Sequence, residues 1–346
     1  NNAIAETVEK LGYLGIVIEG VERILGGRSP NYVYLAKNCR KLKVLLRNYK
    51  LTDDIGFRFS ARWWSEWPLT ADKYASWLAS TQGHCIVIFP DYETFGEHHW
   101  PETGIQDFLY HLLKELTSRN GLTMATPSEV VQKNEPVGVI DVPELEGTIS
   151  WGDIRRDSSC WIGNTMQWAY YKAIRDMEPL IKESLDPELT KLWRYFQISD
   201  HLYYMYTGGG GPGEVHTYFS PFSGPVDAFI SSLSEAIDFE ERLRAFSMAS
   251  NEPFKFYTGV GEDNYTGLNA LSLIGLIKIL EKIDIKAIEF HNNRRDFEEW
   301  ASLSLRNKKL AKKLRSVSKY KGKLLREKLL QITNKHLMNY CKNWIG

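Results

Sequence analysis

The sequence predicts an α/β protein built on a parallel sheet, open or closed into a barrel. Two observations carry that expectation. Along residues 1–135 short apolar runs alternate with helical patterns, which is how consecutive strand–helix units read. One of these runs, Cys85-Ile86-Val87-Ile88-Phe89, leads directly into Asp91 and Glu93, then a loop marked by Gly96 and Pro101, then a helical pattern over Ile105–Leu116. Carboxylates at the C-terminal end of a strand lie where strand–loop–helix barrels gather their reactive groups.

Taken in order, Ala3–Leu11 reads as a helix with Gly12 as its C-cap, followed by a strand over Gly15–Gly20. Tyr32–Leu35 is the next strand, and a basic stretch runs over Lys37–Lys50. The alternation of Ile55, Phe57 and Phe59 predicts a strand over Asp53–Ser60. Ala71–Leu78 is helical, Cys85–Phe89 is a buried strand and Gly121–Ala125 another short one. Thr126-Pro127-Ser128-Glu129 then reads as a capped helix start. From residue 136 the pattern changes: long helices are expected over Asp157–Lys182, Asp186–Tyr206 and Pro225–Ala249, with the glycine run Gly208–Gly213 as a loop between them. That run has no following Lys-Ser/Thr, so it does not make a phosphate cradle. A third section, 251–346, ends in a stretch rich in Lys and Arg over Asn307–Lys328. Its poor aromatic interleaving reads as a solvated helix face rather than a nucleic-acid stripe.

The charges cancel, 43 basic against 43 acidic, so no global field favours nucleic acid or an anionic membrane. No run approaches the length of a transmembrane helix. The four cysteines, Cys39, Cys85, Cys160 and Cys341, form no C-x-x-C pair, which points to a reducing, cytoplasmic setting rather than a disulfide framework. Aromatic residues are abundant, with 11 Trp, 18 Tyr and 15 Phe. Most of them fill cores. A minority suits sugar binding, because a pyranose presents an apolar C–H face to an aromatic ring.

The segment Asp91-Tyr92-Glu93-Thr94-Phe95-Gly96-Glu97-His98 resembles the fourth signature region of glycoside hydrolase family 57, in its archaeal α-amylase-like branch. Further segments match in the family's order: Asp53–Ser60, Ser150-Trp151-Gly152-Asp153 with Trp161-Ile162-Gly163-Asn164, and Trp193–His201. The resemblance covers most of residues 1–250. It implies an incomplete parallel (β/α)7-type barrel over 1–135, a helical bundle over 136–250 that completes the active-site cleft, and a small C-terminal α+β accessory domain over 251–346. It also implies a retaining enzyme acting on α-1,4-glucans, of α-amylase or 4-α-glucanotransferase type, with no cofactor and no metal. Its partner is an α-glucan oligosaccharide or polysaccharide.

The resemblance makes Asp91 the general acid/base; otherwise it is a strand-end aspartate capping a loop. A retaining glycosidase needs a second carboxyl about 5–5.5 Å away. The family's nucleophile is a glutamate on an earlier strand with no counterpart in this sequence, so it is expected before Asn1, along with at least two barrel strands. Glu19 ends an apolar strand, where a carboxylate is costly to bury without purpose; it is a candidate substrate-binding or supporting residue. Glu93 is a candidate orienter and Arg58 a candidate partner for a carboxylate, since a guanidinium binds one through two hydrogen bonds. His98 and Trp151 are further candidates for substrate contact. The resemblance places Asp200 and His201 on a bundle helix over the barrel mouth, within reach of sugar hydroxyls. His98 and His99 beside Asp91 also invite a metal, but adjacent histidines point to different sides. The alternative function is a glucan-binding or regulatory protein with a degenerate catalytic site.

Overall fold

In the computed structural model, residues 1–144, 147–152, 155–208 and 220–345 are described. The protein is mixed α/β and divides into two compact units. The first takes Asn1–Cys160, the second Trp161–Thr207 and the chain from Ser220 onward. No helix among the described residues is long and apolar enough to cross a membrane.

The first unit opens with α1 (Asn2–Lys10), capped by the Asn1 side chain, then β1 (Gly15–Glu19) and the short α2 (Glu22–Leu25). β2 (Tyr34–Ala36) and β3 (Lys43–Arg47) follow, then α3 (Tyr49–Gly56), α4 (Ala71–Ser80), α5 (Ile105–Ser118), α6 (Pro127–Lys133) and β4 (Val139–Ile140). The sheet order is β1-β3-β2-β4. β1 and β3 are parallel, Glu19 standing opposite Arg47 at their ends. β3 is buried on both faces: Val44 and Leu46 enter a core with Leu25, Tyr34, Leu42 and Ile140, while Leu45 meets Val33 and Val131. A strand covered on both sides reads as an unbroken apolar run.

Several expected elements take a different form. The sheet is mixed, because β2 runs antiparallel to β3. Only residues 37–42 join them, and a parallel crossover needs a dozen or more residues. β3 itself lies inside what the sequence showed as a basic stretch. Residues 53–60 form no strand: Asn48 caps α3 by accepting from the Leu51 amide. Ile55 and Phe59 are buried while Phe57 is 39% exposed, a spacing of four rather than two. The Cys85–Phe89 run is reduced to a single parallel bridge, Val87 against Arg47, where β3 has outrun its pairing with β2. Gly121–Ala125 forms no strand: Gly121 lies in a turn with φ +87°, and Met124 is largely exposed.

In the second unit the expected long helices are broken by caps and prolines. The first of them is α7 (Ser159–Ile162), α8 (Thr165–Asp176) and α9 (Glu178–Ser184), interrupted by the Asn164–Gln167 capping box and by Pro179. The next is α10 (Pro187–Tyr195) and α11 (Ser199–Tyr204), and α12 (Pro225–Ser247) is one long helix. Part of the glycine run, from Gly209, lies outside the described residues. An antiparallel hairpin follows, β5 (Ala249–Tyr257) and β6 (Tyr265–Ser272). The helices α13 (Leu273–Lys282), α14 (Ile285–Arg294), α15 (Asp296–Leu303), α16 (Lys308–Arg315) and α17 (Gly322–Ile345) complete the chain. Glu183 of α9 accepts from the Leu271 amide at 2.8 Å and from the Ser272 hydroxyl, and Lys278 donates to the Glu183 and Ser184 carbonyls. Burial pushes the Glu183 carboxyl above its usual range, against the pull of these partners.

The close approach of β1 and β3 can be tested at Gly20. A β-carbon there would lie 2.2 Å from the Arg47 carbonyl oxygen, whereas one at Gly56 meets nothing. Gly20→Ala should destabilise by about 1–3 kcal/mol through overpacking. Gly56→Ala should be neutral or stabilise by about 0.5–1 kcal/mol. Denaturant unfolding of the two variants checks the contrast; equal stabilities would contradict the packing described.

Candidate active site

Glu19, Arg47 and Asp91 stand at or just beyond the C-terminal ends of three parallel segments: β1, β3 and the extended run through Val87. Arg47 joins them. Its Nη1 donates to both oxygens of Glu19 at 3.2 Å, its Nη2 to Asp53 at 2.9 Å, and its Nε to the Phe89 carbonyl at 2.8 Å. A second guanidinium, Arg156, contacts Glu19 at 2.6 Å and Asp53 at 3.0 Å. Two cations and two carboxylates thus close a ring, with side chains only 4–16% exposed. Burial pushes the Glu19 carboxyl up, and the two guanidiniums pull it back towards the ionised form. Arg23 holds the backbone around Arg156 by donating to the carbonyls of Arg155 and Arg156, and it also donates to the Thr148 carbonyl.

Beside this ring lies a cavity of about 750 Å³. Glu19, Arg47, Asp91 and His98 contribute polar groups to its wall, and Phe57, Phe89, Tyr92, Phe95 and Trp151 contribute rings. Asp91 is half-buried and precedes a single 3-10 turn, Tyr92–Phe95, its carbonyl accepting from the Thr94 amide. Glu93 is exposed, and its carbonyl accepts from the Glu97 and His98 amides. The adjacent histidines part company. His98 lines the cavity, while His99 is buried, its Nδ1 2.8 Å from the Ser60 hydroxyl and its Nε2 2.9 Å from the Ile55 carbonyl. A ring nitrogen facing a carbonyl must carry the proton, so Nε2 donates and Nδ1 accepts. His99 therefore clamps the Asp91 loop to the end of α3. No group of three or more His, Cys, Asp or Glu among the described residues could hold a metal.

The remaining residues singled out from the sequence have other contacts. Arg58 donates to Asp54 within α3 and its following turn, and does not line the cavity. Asp200 and His201 belong to α11 of the second unit, where His201 Nε2 donates to the Tyr195 carbonyl. Asp153 is outside the described residues, and Trp161 packs edge-on against Tyr203. Sequence reasoning missed Arg47 and Arg156. For Arg47 a signal existed: Val44-Leu45-Leu46 followed by a cap-forming Asn48 is a strand-to-helix junction. Arg156 has no local signal, because its partners are more than a hundred residues away.

Two outcomes test this geometry. Arg47→Met should destabilise by about 3–5 kcal/mol, since removing one member strands buried charge; adding Glu19→Gln should recover part of the loss in denaturant unfolding. A cost below about 1 kcal/mol would contradict the network. For His99, burial holds the pKa below the ordinary 6.5 despite the Ile55 and Gly56 carbonyls. The unfolded chain then takes up this proton first, so the stability His99 contributes is present above pH ~6.5 and lost below it. Nitrogen NMR at pH 6 should show His99 neutral with the proton on Nε2; an imidazolium there would contradict the assignment.

Residues 1–143 match the family model described as Glycosyl hydrolase family 57. A protein of Methanocaldococcus jannaschii named "Putative alpha-amylase" is 49% identical over 252 residues, covering 70% of this chain and 53% of that protein. The chain thus spans about half the length of that relative. The crystal structure of 4-alpha-glucanotransferase from Thermococcus litoralis aligns with 78% of this chain and 43% of its own, at 13% identity and a TM-score of 0.43. Through residues 1–143, the chain belongs to glycosyl hydrolase family 57.

Proposed function

We propose that this chain supplies the general acid/base, Asp91, of a retaining glycoside hydrolase or transglycosylase acting on α-1,4-glucans, of α-amylase or 4-α-glucanotransferase type. The observation that carries this reading is the setting of Asp91. It is a half-buried carboxyl on an aromatic-lined cavity of about 750 Å³, at the strand ends where parallel α/β enzymes keep their reactive groups. The volume suits a short oligosaccharide. The rings of Phe57, Phe89, Tyr92, Phe95 and Trp151 offer the flat apolar surfaces that pyranose C–H faces pack against. His98 and Trp151 are assigned to substrate contact and Glu93 to orienting the Asp91 loop. In the same reading, the parallel strands β1 and β3 of the first unit belong to an incomplete (β/α)7-type barrel, with β2 as an antiparallel departure from it.

Asp91 protonates the departing glycosidic oxygen, then takes the proton of an incoming water or sugar hydroxyl. Hydrolysis and transfer differ only in that acceptor. Glu19 is not assigned as the nucleophile. Both of its oxygens accept hydrogen bonds from Arg47, and one also from Arg156, so the carboxylate is held in place by two guanidiniums. It serves instead as a fixed polar wall. The nucleophile is assigned to a glutamate preceding Asn1, facing Asp91 across the sugar.

In the natural, complete protein Asp91→Asn should lower turnover of maltoheptaose by about 10²–10⁴-fold while leaving the unfolding transition unchanged. Substrates with good leaving groups should lose much less in the first step. Product lengths read by chromatography check both points. Undiminished activity of the variant on maltoheptaose would sink the assignment. A wild type that binds glucan without turning it over would favour a regulatory role.

A further inference from the structure

The second unit holds a separate cavity of about 510 Å³, where the end of β5, the hairpin loop Gly259–Glu262 and the corner between α14 and α15 meet. Its base is built and rigid. His291 is buried, with Nδ1 2.6 Å from Asp296 and Nε2 2.8 Å from the Tyr257 amide. An amide can only donate, so Nε2 accepts and the Nδ1 proton goes to Asp296. Burial lowers the His291 pKa against the pull of Asp296, which keeps the ring neutral. The imidazole thereby ties the end of β5 to the helix corner. Beneath it, Phe254 stacks on Phe297 at 4.9 Å and meets Trp300 edge-on. Asn264 closes the hairpin loop by donating to the Val260 carbonyl.

The wall chemistry selects a ligand class. Tyr257 and Phe290 are half-buried rings on the cavity, and the Arg294 guanidinium lies 5.2 Å over the Phe290 ring. Lys255 and Arg294 bring positive charge, and Glu262, Asp296 and Glu299 bring negative charge. An anion would face the three carboxylates and a cation the two bases. A neutral molecule with many hydroxyls uses both sets, giving protons to the carboxylates and accepting them from the bases, while its apolar face packs on the rings. The size matches two or three sugar rings. We propose that this cavity is a second saccharide-binding site, taking a neutral oligosaccharide. The site lies within the second unit and shares no lining residue with the cavity at Asp91. It would give residues 249–304 the role of holding a polysaccharide.

Hydrogen–deuterium exchange of the full chain tests this, with maltoheptaose and cellohexaose as separate probes. At least one should protect peptides covering 253–262 and 290–304. Arg294→Ala and Glu299→Gln, both at exposed side chains, should each weaken that protection about tenfold in apparent affinity, as loss of a charged hydrogen bond does. Peptides around 89–98 report the Asp91 cavity separately, so failure at one site is not read as failure at the other. No protection of 253–304 by either sugar, or protection unaffected by both substitutions, would overturn the proposal. Protection by inorganic phosphate in place of the sugars would also overturn it.

Discussion

The first unit depends on a closed ring of charge, Arg47 and Arg156 against Glu19 and Asp53. A glutamate at the end of an apolar strand would ordinarily be neutral or absent, because burying an unpaired charge is costly. Here two planar guanidiniums bind two carboxylates, and Arg47 also gives its Nε–H to the Phe89 carbonyl. That last bond matters for position. The segment through Val87 makes a single bridge to β3, too little to fix the residues beyond it. Arg47 supplies the second attachment, two residues before Asp91.

The loop carrying Asp91 is then held from both ends. Arg47 anchors its entry, and His99 anchors its exit through Ser60 and the Ile55 and Gly56 carbonyls. Between these anchors the chain makes one 3-10 turn, leaving Tyr92 almost fully exposed and Asp91 half-buried at the cavity. A group that donates and accepts a proton at a sugar oxygen must be held within hydrogen-bond reach of it. Double anchoring of a short loop is one way to do that without placing the residue inside a strand. The ring also keeps both Glu19 oxygens occupied by guanidinium donors, so Glu19 is a fixed part of the cavity wall.

Much of this was legible in the sequence, and the failures have physical causes. β1, the helices α1, α4 and α5, and the capping box at Thr126 follow from local signals that tertiary structure did not override. The predicted strand over 53–60 failed because Asn48 caps a helix just upstream and Ile55 and Phe59 bury at helical spacing. β3 was hidden by the lysines and arginines around it. The antiparallel β2 was set by a connection too short to cross over, a fact about the loop rather than about either strand. At the site, the residues named from sequence form an incomplete set. Asp91, Glu19, His98 and Trp151 line one cavity, Arg58 turns to Asp54, Arg47 was signalled only as part of a strand-to-helix junction, and Arg156 left no local signal. Pairings between residues more than a hundred positions apart leave no local periodicity to read.

The central claim is that Asp91 acts on the sugar while Glu19 stays locked. The most direct measurement is a crystal structure of the complete protein carrying Asp91→Asn with a bound maltooligosaccharide. The account predicts a glycosidic oxygen within about 2.6–3.2 Å of the residue-91 side chain, with Glu19 still held by Arg47 and Arg156. A sugar whose anomeric carbon sits against Glu19, or a glycosidic oxygen far from residue 91, would contradict it.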